Sequence, residues 1–491
     1  MTTGKLRQAA LSGARWTVAS RVGLQLVTWP ITIVVMRLLE PGDYGLFAIA
    51  LLFTGFIALF SELGLGVALV QASVVDEPLA RAASTLVLLL NGAVGLAIFV
   101  VAPWVAKAYN APGAALVMQI LSIELLLGAF AAVPQALLER RLQFRSISLA
   151  HMAGGVAGAA TTLVAALSHA GVWALVAGAL AMSLVRTSLL IWFHGRPVWP
   201  GKIRLSTVRP MVHVSSQVLI GRVLWYWYGQ ADQFVLGKLL NAVQLGIYSV
   251  AAQLAMLPVG KAMEAVNRVT LPIFSRARTD PESFRNIYLR VVGVLTLYGF
   301  GVCWGLAAVA HDFVHLVLGA KWQAAATPLA LLSIVAPLRM LCALNNTTST
   351  AVGAPEAATK ELVLAAVLVP LAVGAGAWWG GLAWASAAWL AAFPVVYLVS
   401  NGLTSAAIGL PAWQGLRPLV APTLSGCLML SGVWLLRQTL PADTPLALSL
   451  GAEIVVGGCI YAGMMWLIAR PVVDGAREFM RDMIRPKGSA A

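Results

Sequence analysis

Charge is what this sequence has least of. Only 11% of its 491 residues are Asp, Glu, Lys or Arg, against about 25% in soluble chains. A globular fold cannot clothe a water-facing surface with so few. With 60% hydrophobic residues and a mean hydropathy of +0.85, most of the surface has to face lipid. Acidic residues are scarcer than basic ones: 19 Asp and Glu against 33 Lys and Arg, a net charge of +14. That excess does not mark a nucleic-acid binder. The basic residues fall in short clusters between long apolar runs, and no soluble face exists to carry a patch. Cysteine is rare too. Cys303, Cys342, Cys427 and Cys459 each lie inside an apolar run, and no two have metal-ligand spacing. Neither a disulfide nor a metal site is implied. A Walker motif is missing, so the chain does not hydrolyse nucleotide by itself. No catalytic constellation and no cofactor motif stands out, and the expectation is a transporter without a cofactor rather than an enzyme. The adjacent pair Asp76-Glu77 reads as helix N-terminal charge, not as an acid/base pair.

Long connections are also lacking. The longest, near 194–212 and 272–288, are about 20 residues and basic, so no extramembrane domain is expected. This argues against a membrane polymerase or glycosyltransferase, which would need an outer domain with catalytic carboxylates. Residues Met1 to Arg15 are polar and basic and lack the small-residue cleavage site of a signal peptide, so the first apolar run reads as a retained span.

What is present is a succession of apolar stretches. A helix needs about 20 such residues to cross the hydrocarbon core, and on that template about 14 spans appear. They run roughly 15–38, 44–70, 83–107, 114–138, 147–168, 171–193, 213–237, 245–271, 289–311, 325–350, 360–378, 380–402, 415–437 and 446–469. The least marked breaks are Gly380-Gly381 and Ser168 to Gly171. With a cytoplasmic N-terminus, the cytoplasmic connections and tail hold about 22 Lys and Arg and the opposite side about 5. Both termini are therefore expected inside.

An internal repeat recurs at an offset of 201 residues. Arg37-Leu38-Leu39 matches Lys238-Leu239-Leu240, Gly45-Leu46-Phe47 matches Gly246-Ile247-Tyr248, and Arg21-Val22 matches Arg222-Val223. The offset spans six helices, an even number, so both copies enter the membrane in the same direction. Such parallel repeats surround an axis along the membrane normal. The expected architecture is an all-α polytopic membrane protein of two six-helix lobes around a central cavity, plus two C-terminal helices at about 415–469. The divisions are 1–212, 213–408 and 409–491.

An ionisable residue within the bilayer costs at least about 2.5 kcal/mol and usually faces a bundle interior or water. Arg21, Gln25, Thr28 and Thr32 share one helical face. Arg222, Tyr226, Gly229 and Gln233 repeat that spacing, with Asp232 beside them. These stripes either line a cavity or carry arginines that snorkel to the cytoplasmic end. Lys261, Glu264 and Arg268 share another face and can form bridges among themselves, though the stripe stays net positive. Arg339 and Arg186 are further cations within spans. Arg21, Gln25, Arg222, Tyr226, Lys261, Arg268 and Arg339 are the candidate substrate-binding residues. Glu62, Glu124, Asp232 and Glu264 are the candidates for coupling or ion pairing: Glu62 either binds a coupling cation or pairs with Arg21. His151 and His213 read as interfacial.

Several motifs together carry a family resemblance. The stretch Arg37-Leu38-Leu39-Glu40-Pro41-Gly42-Asp43-Tyr44-Gly45-Leu46-Phe47, followed by Ser61-Glu62-Leu63-Gly64-Leu65-Gly66 and Leu69-Val70-Gln71, resembles the polysaccharide transporter family of oligosaccharide flippases. So do Glu139-Arg140-Arg141-Leu142-Gln143-Phe144-Arg145, the run from Ala231-Asp232 through Leu245-Gly246-Ile247-Tyr248, and Leu271-Pro272-Ile273-Phe274-Ser275-Arg276. The resemblance covers about residues 10 to 405. It implies the multidrug/oligosaccharidyl-lipid/polysaccharide exporter superfamily, whose two lobes alternate between inward and outward openings. The implied substrate is an undecaprenyl-pyrophosphate-linked oligosaccharide, flipped across the bacterial inner membrane. Membrane lipids and a polysaccharide polymerase or export machinery are the implied partners. A cation-coupled multidrug exporter would want a cavity of carboxylates and aromatics, against the arginine stripes. A lipid II flippase of the same superfamily is the other alternative.

Overall fold

An apolar segment in lipid has to satisfy each backbone N–H and C=O within itself, and a helix does so. The computed structural model describes residues 23–60, 76–201, 205–277, 280–441, 443–470, 472 and 474, and for 205–220 and 267–277 the backbone only. Among these residues every regular element is helical. In chain order they are α1 (Gly23–Leu38), α2 (Pro41–Ala58), α3 (Glu77–Ala108), α4 (Gly113–Arg140), α5 (Phe144–Leu167), α6 (Val172–His194), α7 (Leu205–Leu239), α8 (Ala242–Ala277) and α9 (Pro281–Ala308). A connector of short turns over Ala310–Ala325 leads to α10 (Ala326–Ala351). Then come α11 (Pro355–Ile408), α12 (Ala412–Thr439) and α13 (Leu446–Ile468). Eleven of the described helices are long and apolar enough to cross a membrane. The chain is a multi-pass membrane protein.

The two faintest breaks in the sequence are both real. At 54 residues α11 is too long for one crossing, and its backbone leaves the helical region at Gly380 and Gly381. Gly381 has φ +69°, in the left-handed region glycine enters freely. The result is two arms, 355–379 and 382–408. Gly171, with φ +58°, separates α5 from α6 in the same way.

Several helices start before their apolar runs, because caps rather than hydropathy set their ends. Asp76 accepts the Leu79 amide at 2.9 Å and opens α3 at Glu77, ahead of the apolar run that starts at 83. Asp280 accepts the amides of Glu282 and Ser283 and the Ser283 hydroxyl, opening α9 at Pro281. Those donors hold the Asp280 carboxyl below the usual range. A lowered value means the cap is complete at neutral pH and is lost only as pH falls through that value.

The chain forms two compact units: residues 1–230 with 241–246, and residues 231–240 with 247–491. The division falls within α7. In the first unit α5 packs on α6, and α4 packs on α3 and α6. The start of α8 also belongs to it and meets the start of α2. A Cβ on Gly45 would overlap the Ala242 carbonyl oxygen, and a Cβ on Gly246 would overlap that of Pro41. Positions 41 and 242, like 45 and 246, are related by the 201-residue repeat, so the two copies cross there through equivalent glycines. The same positions carry both caps, with the bonds running in opposite senses: Asp43 accepts the Glu40 amide, and Asn241, equivalent to Glu40, accepts the Gln244 amide.

In the second unit α10 packs on α9 and α11. The last pair, α12 and α13, is bound tightly to it. Trp304, Phe300, Met429, Tyr461 and Met465 form an apolar cluster among α9, α12 and α13, and the Tyr461 hydroxyl donates to the Leu297 carbonyl at 2.8 Å. Arg437 adds a bidentate bond to Glu453, at 2.9 and 3.0 Å, and lies 3.5 Å from Asp312 in the connector. Glu453 is fully buried.

Candidate functional site

The candidate residues divide between the two units. Arg21 and Glu62 lie outside the described residues, as does the side chain of Arg268. In the first unit Gln25 is half-buried on α1 and Arg222 half-buried on α7. One turn on, the Tyr226 hydroxyl donates to the Leu52 carbonyl of α2 at 2.8 Å, and its ring sits 6.0 Å from that of Phe56. Tyr226 therefore ties α7 to α2. Glu124 on α4 and Arg186 on α6 lie within electrostatic range of each other. They form no direct bridge, and the buried Arg186 Nε has no hydrogen-bond partner among the described residues. On α8, Lys261 is exposed and Glu264 half-buried.

The second unit brings two of the candidates together. Asp232, near the end of α7, is buried. Its carboxylate accepts the Tyr248 hydroxyl of α8 at 2.6 Å. The Tyr248 oxygen in turn accepts the indole N–H of Trp389, from the second arm of α11, at 2.9 Å. The Trp389 ring stacks on Phe393 and carries the guanidinium of Arg339, whose carbon lies 4.8 Å from the Trp389 centroid and 5.9 Å from that of Phe393. Arg339 acts on Asp232 through space. It nevertheless forms no ion pair and donates no hydrogen bond among the described residues.

A second network contains no residue singled out from the sequence. Glu361, at the start of the first arm of α11, is 1% exposed. It accepts the Ser400 hydroxyl at 2.6 Å and the Asn346 amide at 3.4 Å. Ser400 accepts from Asn345, which accepts the Tyr288 hydroxyl, so one carboxyl group ties α9, α10 and both arms of α11. No basic group pairs with it among the described residues, and the Asn346 carbonyl oxygen is buried without a partner. From the sequence Glu361 reads as a polar residue at a span's edge. The missed signal is the Asn345-Asn346 pair one helix earlier, near the C-terminal end of the span at 325–350.

Between α9, α12 and α13 of the same unit lies a largely apolar cavity of about 720 Å³, walled by Gly301, Val302, Val433, Gly457 and Tyr461. Its dimensions suit hydrocarbon, and Glu453, already held by Arg437, lies on its wall. The unit thus combines an unbonded cation inside the bilayer with an apolar recess. No group of three or more His, Cys, Asp or Glu able to hold a metal ion occurs among the described residues.

The chain resembles known proteins in sequence and in fold. A model of the family described as polysaccharide biosynthesis protein matches residues 34–327. The succinoglycan biosynthesis transport protein ExoT of Rhizobium meliloti is 28% identical over 486 residues, 97% of each chain. The lipopolysaccharide biosynthesis protein WzxC of Escherichia coli is 27% identical over 348 residues, 68% of each chain. Among solved structures, the lipid II flippase MurJ in an inward closed conformation superposes with a TM-score of 0.72. That match covers 93% of this chain and 99% of that one at 13% identity, a likeness of fold.

Proposed function

Because the chain belongs to the polysaccharide biosynthesis protein family, we propose that it is a flippase translocating an undecaprenyl-pyrophosphate-linked oligosaccharide across the bacterial inner membrane by alternating access. A sugar chain and a pyrophosphate cannot enter hydrocarbon unaided, since each unsatisfied polar group costs several kcal/mol. What the substrate needs is a cation inside the bilayer for its head and an apolar surface for its tail. The observation that carries this reading is Arg339: a guanidinium within a membrane-spanning helix, half-buried and, among the described residues, bonded to no acidic group. Arg222 and Gln25 supply further polar surface in the first unit, with Arg21, Lys261 and Arg268 assigned to the same role from sequence. The apolar recess beside α13 suits a prenyl chain. Both termini are cytoplasmic in this reading, and a polymerase on the far side consumes the product.

The test is genetic and chemical. A strain lacking the gene should accumulate lipid-linked repeat units and stop exporting the glycan, and the wild-type chain in trans should restore export. Unchanged export with altered tolerance to cationic drugs would replace this reading with that of a multidrug exporter.

A further inference from the structure

Arg339 is held in an unusual manner. A cation inside a bilayer normally pairs with an acid or faces water, yet this one lies on the aromatic faces of Trp389 and Phe393. Cation–π contact occupies one face of the guanidinium plane. It leaves the five N–H groups, which point outward in that plane, for other acceptors. Among the described residues none of them is used.

The platform beneath it is fixed. Trp389 is anchored by its N–H to Tyr248, and Tyr248 by its hydroxyl to Asp232. All three are buried and come from three different helices. Asp232 therefore works as the end of a strut and not as a bonded counter-ion. A direct bridge to Asp232 would neutralise the guanidinium and consume its donors, and no such bridge forms.

We propose that Arg339 is an oxyanion receptor for the phosphate-bearing head of the substrate, with Trp389, Tyr248 and Asp232 as the positioning residues that aim it. This rests on the flippase reading above and deepens it. A diphosphate presents pairs of non-bridging oxygens, which match the two parallel N–H bonds of an arginine fork and not the single point charge of lysine. The aromatic rings hold the fork's plane, so little orientational freedom is left to lose on binding.

The experiment uses the full chain in nanodiscs of zwitterionic lipid and two probes of equal length, a prenyl diphosphate and the matching prenyl alcohol. The readout is the ratio of their affinities, with alcohol binding reporting that each variant is folded. Wild type should favour the diphosphate. Arg339→Gln should lower that preference about 10- to 100-fold, as expected for a lost charge-assisted bond, with alcohol binding unchanged. Arg339→Lys should recover part of it. Tyr248→Phe keeps the ring and breaks the strut, while Trp389→Phe breaks it and leaves a smaller aromatic ring under the guanidinium; each should lower the preference about 3- to 10-fold, a fraction of the same bond. If Arg339→Gln binds neither probe, Arg339→Lys and Trp389→Phe decide. A wild type without preference would count against the flippase reading itself. A wild-type preference that survives in Arg339→Gln, or in both Arg339→Lys and Trp389→Phe at full strength, overturns the receptor alone. Loss of the preference on adding phosphatidylglycerol would assign the receptor to bulk lipid heads and also overturn it.

Discussion

At the residue scale, two side chains make separable predictions. Arg222 begins a polar face on α7 and is half-buried. If it contacts the substrate, Arg222→Ala should weaken binding about 10- to 100-fold, and Arg222→Lys should retain only part, because the bidentate fork is lost. A snorkelling arginine would tolerate lysine fully. A glycan-export assay on well-inserted variants separates the two. Glu361 makes a prediction of stability. Removing it leaves Ser400 and Asn346 buried without their acceptor and opens a void, so Glu361→Ala should cost about 2–4 kcal/mol. Glu361→Gln keeps the volume and one acceptor and should cost less than about 1.5 kcal/mol. Thermal unfolding in detergent measures both. Equal, small losses would show that the Tyr288–Asn345–Ser400–Glu361 chain contributes little to the fold.

At the element scale the repeat predicts symmetry of effect. Gly45 and Gly246 lie against the carbonyls of Ala242 and Pro41, positions related by the same offset. Alanine at either forces the start of α2 from the start of α8, at about 1–3 kcal/mol. The two losses should be equal within error, and the double variant should lose less than their sum, since one displacement relieves both clashes. Strict additivity would mean the two sites yield independently. The terminal pair makes a different prediction. Arg437→Ala leaves Glu453 buried and uncompensated, a change of about 3 kcal/mol in a buried pair, discounted here because the arginine is partly exposed. Limited proteolysis should then cut around α12–α13 before the rest of the chain. Helix number, the breaks at Gly381 and Gly171 and the offset repeat were all legible in the sequence, since hydropathy, glycine and periodicity are local signals. The struts were not. Glu453 sits within an apolar run and its partner Arg437 at the end of another, while Trp389, Tyr248 and Asp232 lie on three helices. Only packing brings such residues together, and a single sequence does not encode which helices face each other.

At the scale of the whole molecule, one expectation concerns topology and one concerns transport. On the proposed topology both termini are cytoplasmic, an expectation drawn from the roughly fourfold excess of basic residues on one side. Reporter fusions at Gly4 and Lys487 should both read as cytoplasmic, and a periplasmic signal from either would reverse the orientation. The central claim is that the chain moves a lipid-linked oligosaccharide between leaflets, and the direct measurement is a leaflet-exchange assay. The purified chain is reconstituted in vesicles containing a fluorescent undecaprenyl-pyrophosphate-linked oligosaccharide, and the fraction of label open to an impermeant quencher is followed over time. Label on the inner leaflet should become reachable in vesicles carrying wild type and stay protected in vesicles carrying an Arg339→Gln, Arg222→Ala double variant. Label that stays protected with folded, correctly inserted wild type, under imposed ion gradients of either sign, would contradict it.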